Sequence, residues 1–163
     1  MRYGIVSDVH SNLEALTVVM QYLSGENIDR YCFIGDAVGY GPNPDEVCTI
    51  LRENMNFAVV GNHDAAATGR MDYAEYYDAA RHAIEWSREQ LCPENLEWLK
   101  DLPYTQRDGH IGFCHGTPVA PEVFDYLFSA EQVFEMMDAV DELPSVTFIG
   151  HSHLTIAFRI EHS

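Results

Sequence analysis

The sequence predicts an α/β layered fold in one domain, and three observations carry that expectation. Short runs rich in β-branched and aromatic residues alternate with longer segments of helical period along all 163 residues. Apolar residues make up 47% of the chain, enough for one globular domain to bury a core of its own. No repeat, low-complexity run or linker interrupts the alternation, so residues 1–163 read as a single domain.

The expected strands are 3–6, 31–34, 57–60, 110–114, 146–149 and 155–160. Between the first two, SNLEALTVVMQYLSG offers Ser11 or Asn12 as N-cap, Leu13, Leu16, Met20 and Leu23 on one face, and Gly25 as a stop. NPDEVCTILREN repeats that logic. Asn43 caps, Pro44 takes the first helical position where its missing N–H is harmless, acids fill the first turn, and Val47, Ile50 and Leu51 face inward. Two further helices read through AEYYDAARHAIEWSREQL and PENLEWLKDL, and a hairpin follows with Asp108-Gly109 as its turn. SAEQVFEMMDAV then opens with a Ser129 to Gln132 capping box and shows an apolar face of Val133, Met137 and Val140.

The formal charge is −17, from 26 acidic residues against 9 basic ones, and Lys100 is the only lysine. Nucleic-acid and membrane surfaces need clustered positive charge, so neither is an expected partner. An anionic substrate needs another source of attraction here, and bound metal ions supply one. Cys32, Cys48, Cys92 and Cys114 show no Cys-x-x-Cys spacing and are expected as reduced thiols. The N-terminus has no long apolar core with a cleavage site, and no segment approaches the roughly 18 apolar residues of a membrane span. The expected compartment is the cytoplasm.

Nearly every metal-type side chain directly follows a predicted strand. GIVSDVH ends in Asp8 and His10, CFIGDAVG holds Asp36, AVVGNHD ends in Asn62, His63 and Asp64, GFCHG holds His115, and FIGHSH ends in His151 and His153. The carboxyl ends of parallel strands share one edge, where ligands bind, so five separate segments converge. A single Asp or Asn after a strand is commonly a turn former, and a lone loop His is commonly solvated. Five repetitions of strand, small residue and donor argue against that plainer reading. His82, His110 and His162 follow no strand end and read as surface or packing residues. Mixed oxygen and imidazole donors suit Mn, Fe, Zn or Co better than Mg or Ca. There are too many of them for one ion, which points to two metals sharing a carboxylate at about 3.5–4 Å.

In order and spacing, Asp8-x-His10, Gly35-Asp36, Gly61-Asn62-His63-Asp64, His115 and Gly150-His151-Ser152-His153 resemble the calcineurin-like metallophosphoesterase superfamily. The resemblance implies a layered β-sandwich of mixed sheets flanked by helices. It implies that Asp8, His10 and His153 hold the first metal, that Asn62, His115 and His151 hold the second, and that Asp36 bridges them. A metal-bridging hydroxide would attack phosphorus, with His63 as proton donor to the leaving oxygen. In the protein Ser/Thr phosphatases of this superfamily the second block reads Gly-Asp-x-x-Asp-Arg, whereas GDAVGYG places Gly39 and Tyr40 there.

The sequence is therefore more similar to the small bacterial and archaeal branch of phosphodiesterases and diadenosine-tetraphosphatase-like proteins. A small phosphorylated substrate is expected, with Tyr40 as a substrate contact and Asp64 orienting His63. Tyr73, Tyr76 and Tyr77, with Tyr40, read as candidates for a pocket that stacks a nucleobase, against the plainer expectation of helix packing and ordinary surface, and Phe124, Tyr126 and Phe128 are expected to cover the core. An inactive metal-binding scaffold of the same fold and a protein phosphatase are the alternatives. A TIM-barrel amidohydrolase is rejected, because its His-x-His pair opens the chain rather than closing it. Such relatives usually continue beyond the last His-x-His, so the resemblance implies a C-terminally truncated domain, whose strand 155–160 would offer an open edge for self-association.

Overall fold

The computed structural model describes residues 1–161, apart from the side chains of Met137, Val140 and Asp141. The expectations for Met137, Val140 and His162 thus lie outside the described residues. β1 (Tyr3–Val6), β2 (Arg30–Ile34) and β3 (Phe57–Val59) form a parallel sheet in that order. They are joined through α1 (Leu13–Ser24) and α2 (Pro44–Asn54). After α3 (Asn62–Ala67), α4 (Asp78–Gln90) and α5 (Pro93–Asp101), a second sheet is built from β4 (Thr105–Asp108), β5 (Ile111–Cys114) and β6 (Val146–Phe148). β4 runs antiparallel to β5, and β6 runs parallel to it. α6 (Ala130–Glu135) and a 3₁₀ segment, Met137–Glu142, precede β6.

Strand alternation splits the interior into two cores. On β2, Phe33 points into the helical layer with Leu16, Val47, Leu51, Ile84 and Leu99. Its neighbours Cys32 and Ile34 point the other way, onto Val59 and Phe113, with Tyr3, Ile5, Phe57 and Ile111 packed around them. The Phe113 ring lies 5.9 Å from Phe57 and 6.0 Å from Tyr3, so the two sheets face each other. Each such buried side chain contributes roughly 1.5–3 kcal/mol. The Tyr3 hydroxyl also donates to Asp108 Oδ2 at 2.8 Å, tying the first sheet to the second. The first sheet is thereby covered on both faces, and its strand ends are left as the place where polar side chains collect.

The elements follow their local chemistry, with four corrections. Asn12 is the cap of α1 and accepts from Ala15 N at 3.0 Å, and Gly25 ends the helix as expected, with φ −86°. The left-handed residue comes two positions later, at Asn27. α4 begins at Asp78, after a non-helical 74–77, and the helix capped by Ser129 gives way after Glu135 to the 3₁₀ segment. Asp108 pairs with Ile111, so the hairpin turn is Gly109-His110, one residue later than expected, with Gly109 at φ +61° in the first central position. Residues 155–160 carry the apolar alternation of a strand, with Ile156, Phe158 and Ile160 exposed, yet form none. A strand exists only through its ladder, and among the described residues nothing pairs with this segment. The four cysteines are free, and no helix of the described residues is long and apolar enough to cross a membrane.

Candidate metal centre

The chain turns sharply as it leaves each strand. Ten non-glycine residues among those described have positive φ, and five of them are Asp8, His10, Asp36, His151 and His153. Left-handed backbone costs an L-residue roughly 1–2 kcal/mol, so its concentration on the expected donors marks a constrained site. Backbone bonds continue beyond the strands to hold these turns: Asp8 N donates to Gly35 O at 2.9 Å, His10 N to Asp36 O at 3.0 Å, and Gly150 N to His115 O at 2.9 Å. Gly35, at φ +99°, lies under the His115 ring, which a Cβ there would strike.

All seven expected donors come together at this edge. One cluster contains Asp8, His10 and His153, and another contains Asp36, His115 and His151, the donor atoms of each lying within 4.8 Å of one another. The buried Asp36 links them, its Oδ2 lying 3.5 Å from His10 Nε2 and 3.3 Å from His115 Nε2. Its Oδ1 accepts from the backbone N–H of His63 at 2.9 Å, which fixes the carboxylate plane. Asn62 joins the second cluster, with Oδ1 3.2 Å from His115 Nε2 while its Nδ2 donates to the Tyr76 hydroxyl at 2.8 Å. Asp8 is held by the backbone N–H of His151 at 3.1 Å and by Ser7 Oγ, and faces His153 Nε2 at 3.2 Å.

The donor set is of the kind that can hold metal ions. His10 Nδ1 lies 3.0 Å from Val38 O, and His115 Nδ1 lies 2.8 Å from Ile34 O. A carbonyl only accepts, so each Nδ1 carries the proton and each Nε2 is left to offer its lone pair toward Asp36. Without metal, a proton takes that place on His115. Burial opposes its charge, but Asp36 outweighs this and raises the imidazole to about 9. Burial opposes the charge of Asp36 too, yet His115 holds the carboxyl well below its usual range. Burial pushes His151 and His63 down to about 4, leaving both neutral near pH 7.

His63 and Asp64 occupy α3, a six-residue buried helix that the sequence periodicity did not reveal. His63 lines the cavity above the donors, and its Nδ1 is buried without a partner against Gly39. Asp64 does not orient that ring, contrary to expectation. Its carboxylate accepts from the backbone N–H groups of Asp36 (2.8 Å), Ala37 (2.9 Å), Val38 (3.2 Å) and Gly61 (3.0 Å). It is a clamp on the loop that carries Asp36. Burial, together with the Asp36 charge, raises its carboxyl to about 7.

Tyr40 lines the same cavity of about 240 Å³, its ring 4.8 Å from His10 and its hydroxyl accepting from Tyr77 at 2.9 Å. Sequence reasoning missed the place of one tyrosine, Tyr126, and the particular part that Tyr76 plays. Tyr76 sets the amide of Asn62, and Tyr126 stacks flat on His151 at 3.8 Å, with 16° between the planes. Phe124 covers the core as expected, but Tyr126 and Phe128 are exposed. The alternation of core-facing Phe124 and Leu127 with aromatic neighbours was the available signal.

A parallel sheet facing a mixed one, with Asp/His clusters at the strand ends, defines a metallophosphoesterase-type α/β sandwich. The calcineurin-like phosphoesterase family matches residues 1–160, and the chain belongs to that family. It is 36% identical over 157 residues to an uncharacterised protein of Methanocaldococcus jannaschii, covering 93% of this chain and 62% of that protein. It is 33% identical over 138 residues to a symmetrical bis(5'-nucleosyl)-tetraphosphatase of Coxiella burnetii, covering 80% of this chain and 46% of the relative. A crystal structure of a metallophosphoesterase from Sphaerobacter thermophilus superposes with a TM-score of 0.79 at 38% identity, over 94% of this chain and 61% of that one. The chain thus spans about half to three fifths of the length of these relatives.

Proposed function

We propose that this chain hydrolyses phosphoester bonds of a small phosphodiester or nucleotide-type substrate, with two transition metals as cofactors. The observation that carries this reading is Asp36, whose Oδ2 lies between imidazoles of two separate donor clusters. In this reading Asp8, His10 and His153 would hold one metal, Asn62, His115 and His151 would hold the other, and Asp36 would serve both. Bound metals supply a nucleophilic water at neutral pH and neutralise the phosphoryl oxygens, which this acidic chain otherwise repels.

His63 works from the cavity wall. An unpartnered buried N–H costs more than an unpartnered lone pair, so its proton belongs on Nε2, the edge away from Gly39. That N–H meets a phosphoryl or leaving oxygen as a hydrogen-bond donor. To give up a proton the ring must first take up a second one, which the negative charge of a bound phosphoryl group favours, and proton donation from such a position contributes about 10²- to 10⁴-fold. A non-catalytic scaffold has no use for this group. The nucleotide-type substrate is supported by the tetraphosphatase among the relatives and by the aromatic cavity walls. The test is hydrolysis of bis-p-nitrophenyl phosphate with Mn, abolished by EDTA. A folded, metal-loaded sample that turns over no aryl phosphoester refutes the reading.

A further inference from the structure

We propose that Tyr126 and Phe128 form a stacking platform beside the metal centre that takes the planar base of a nucleoside phosphoester. The proposal rests on the phosphoesterase reading and names the group that its substrate carries. Three rings stand nearly parallel in a row: His151 and Tyr126 at 3.8 Å and 16°, then Tyr126 and Phe128 at 5.0 Å and 12°. The row starts at a donor of the second cluster and runs outward from the cavity.

The stretch from Phe124 to Phe128 divides its apolar side chains between two tasks. Phe124 and Leu127 are 5% and 9% exposed and belong to the interior, whereas Tyr126 and Phe128 are each 47% exposed. Two adjacent aromatic rings held in water next to a polar cavity are an unfavourable surface unless a ligand covers them. They are also preorganised. The Gln132 side chain accepts from Phe128 N at 2.7 Å and donates to Tyr126 O at 3.1 Å, fixing both backbones from the first turn of α6. Thr117 N donates to Asp125 O at 3.1 Å on the other side.

The remaining lining decides the ligand class. No Lys or Arg lines this cavity among the described residues, so beyond the metals and the His63 N–H the phosphate meets no cationic side chain, and the aromatic walls are left to add affinity for the rest of the substrate. Base stacking on such a ring raises affinity by roughly 5- to 150-fold.

The experiment compares the p-nitrophenyl ester of thymidine 5′-phosphate with methyl p-nitrophenyl phosphate on the Mn-loaded protein. Both release the same leaving group and differ in the nucleoside, whose stacking share the Phe128 variants isolate. A kcat/KM at least about 10-fold higher for the thymidine ester, carried mainly by KM, is expected. Phe128→Ala should bring the ratio close to one, and Phe128→Trp should keep it. Equal kcat/KM for the two esters in the wild type, or a ratio indifferent to Phe128→Ala, overturns the platform while leaving the phosphoesterase reading intact. If neither ester turns over, that reading fails instead. The platform is then judged by calorimetry with adenosine 5′-monophosphate against ribose 5-phosphate, and equal affinities overturn it.

Discussion

Gly39→Ala tests the geometry around His63 without touching a metal donor. Gly39 has φ +94°, a conformation that costs an L-residue roughly 1–2 kcal/mol. For a 163-residue chain that lowers the melting midpoint by about 2–8 °C. The new Cβ would overlap His63 Nδ1, so the ring must retreat by about 1 Å to reach ordinary contact. A displacement of that size costs on the order of 10²-fold in rate when the displaced group takes part in the reaction. The loss should depend on the leaving group. For a phenyl phosphodiester, whose phenolate needs a proton, kcat should fall by about 10²-fold, and for the p-nitrophenyl analogue by distinctly less. Metal content by atomic emission should stay at the wild-type level. Equal losses on the two esters, or loss of metal, would show that Gly39 serves something other than the placement of His63.

Two substitutions separate the roles of neighbouring side chains: His63→Ala should retain metal but lose turnover, whereas Asp36→Ala should lose metal. Equal metal content in the two contradicts the bridging assignment. The metal-free protein should lose stability from about pH 7 to about pH 9.5. A group raised to about 9 on folding contributes fully below its ordinary 6.5, and that contribution vanishes as pH rises through 9, as for His115. A melting midpoint that is flat or rises over this window contradicts the His115–Asp36 pairing. Thiol chemistry is the last check. Burial pushes Cys32 and Cys114 up to about 12 and Cys48 well above its usual range, so a thiol reagent should modify only the half-buried Cys92 in the native state. More than one fast-reacting thiol contradicts the packing of both cores.

Much of the site was legible because its donors follow strands, and strands announce themselves by composition. Asp8, Asp36, His115 and His151 needed only the rule that parallel strands end together. Asp64 was misread because sequence shows which carboxylate is near His63 in the chain, not which amides the β2–α2 loop turns inward. α3 escaped because six residues are too few for a helical period. The segment 155–160 shows the converse: its alternation is that of a strand, but propensity without a neighbouring ladder forms none. Tyr126 was assigned to the core on its apolar company, and only the turn of the chain around Phe124, itself at φ +58°, separates inward from outward rings.

The order of the donors along the chain has a kinetic consequence. Asp8 and His10 stand near the start and His151 and His153 near residue 150, and the clusters pair early residues with late ones. Closing so long a loop is entropically slow, and no shorter stretch of chain holds both partners of the first cluster. During synthesis, the first cluster cannot form until β6 has emerged and docked on β5. Capture of a metal ion is then a report that the two sheets have found each other, and a chelator becomes a probe of late assembly rather than of catalysis alone.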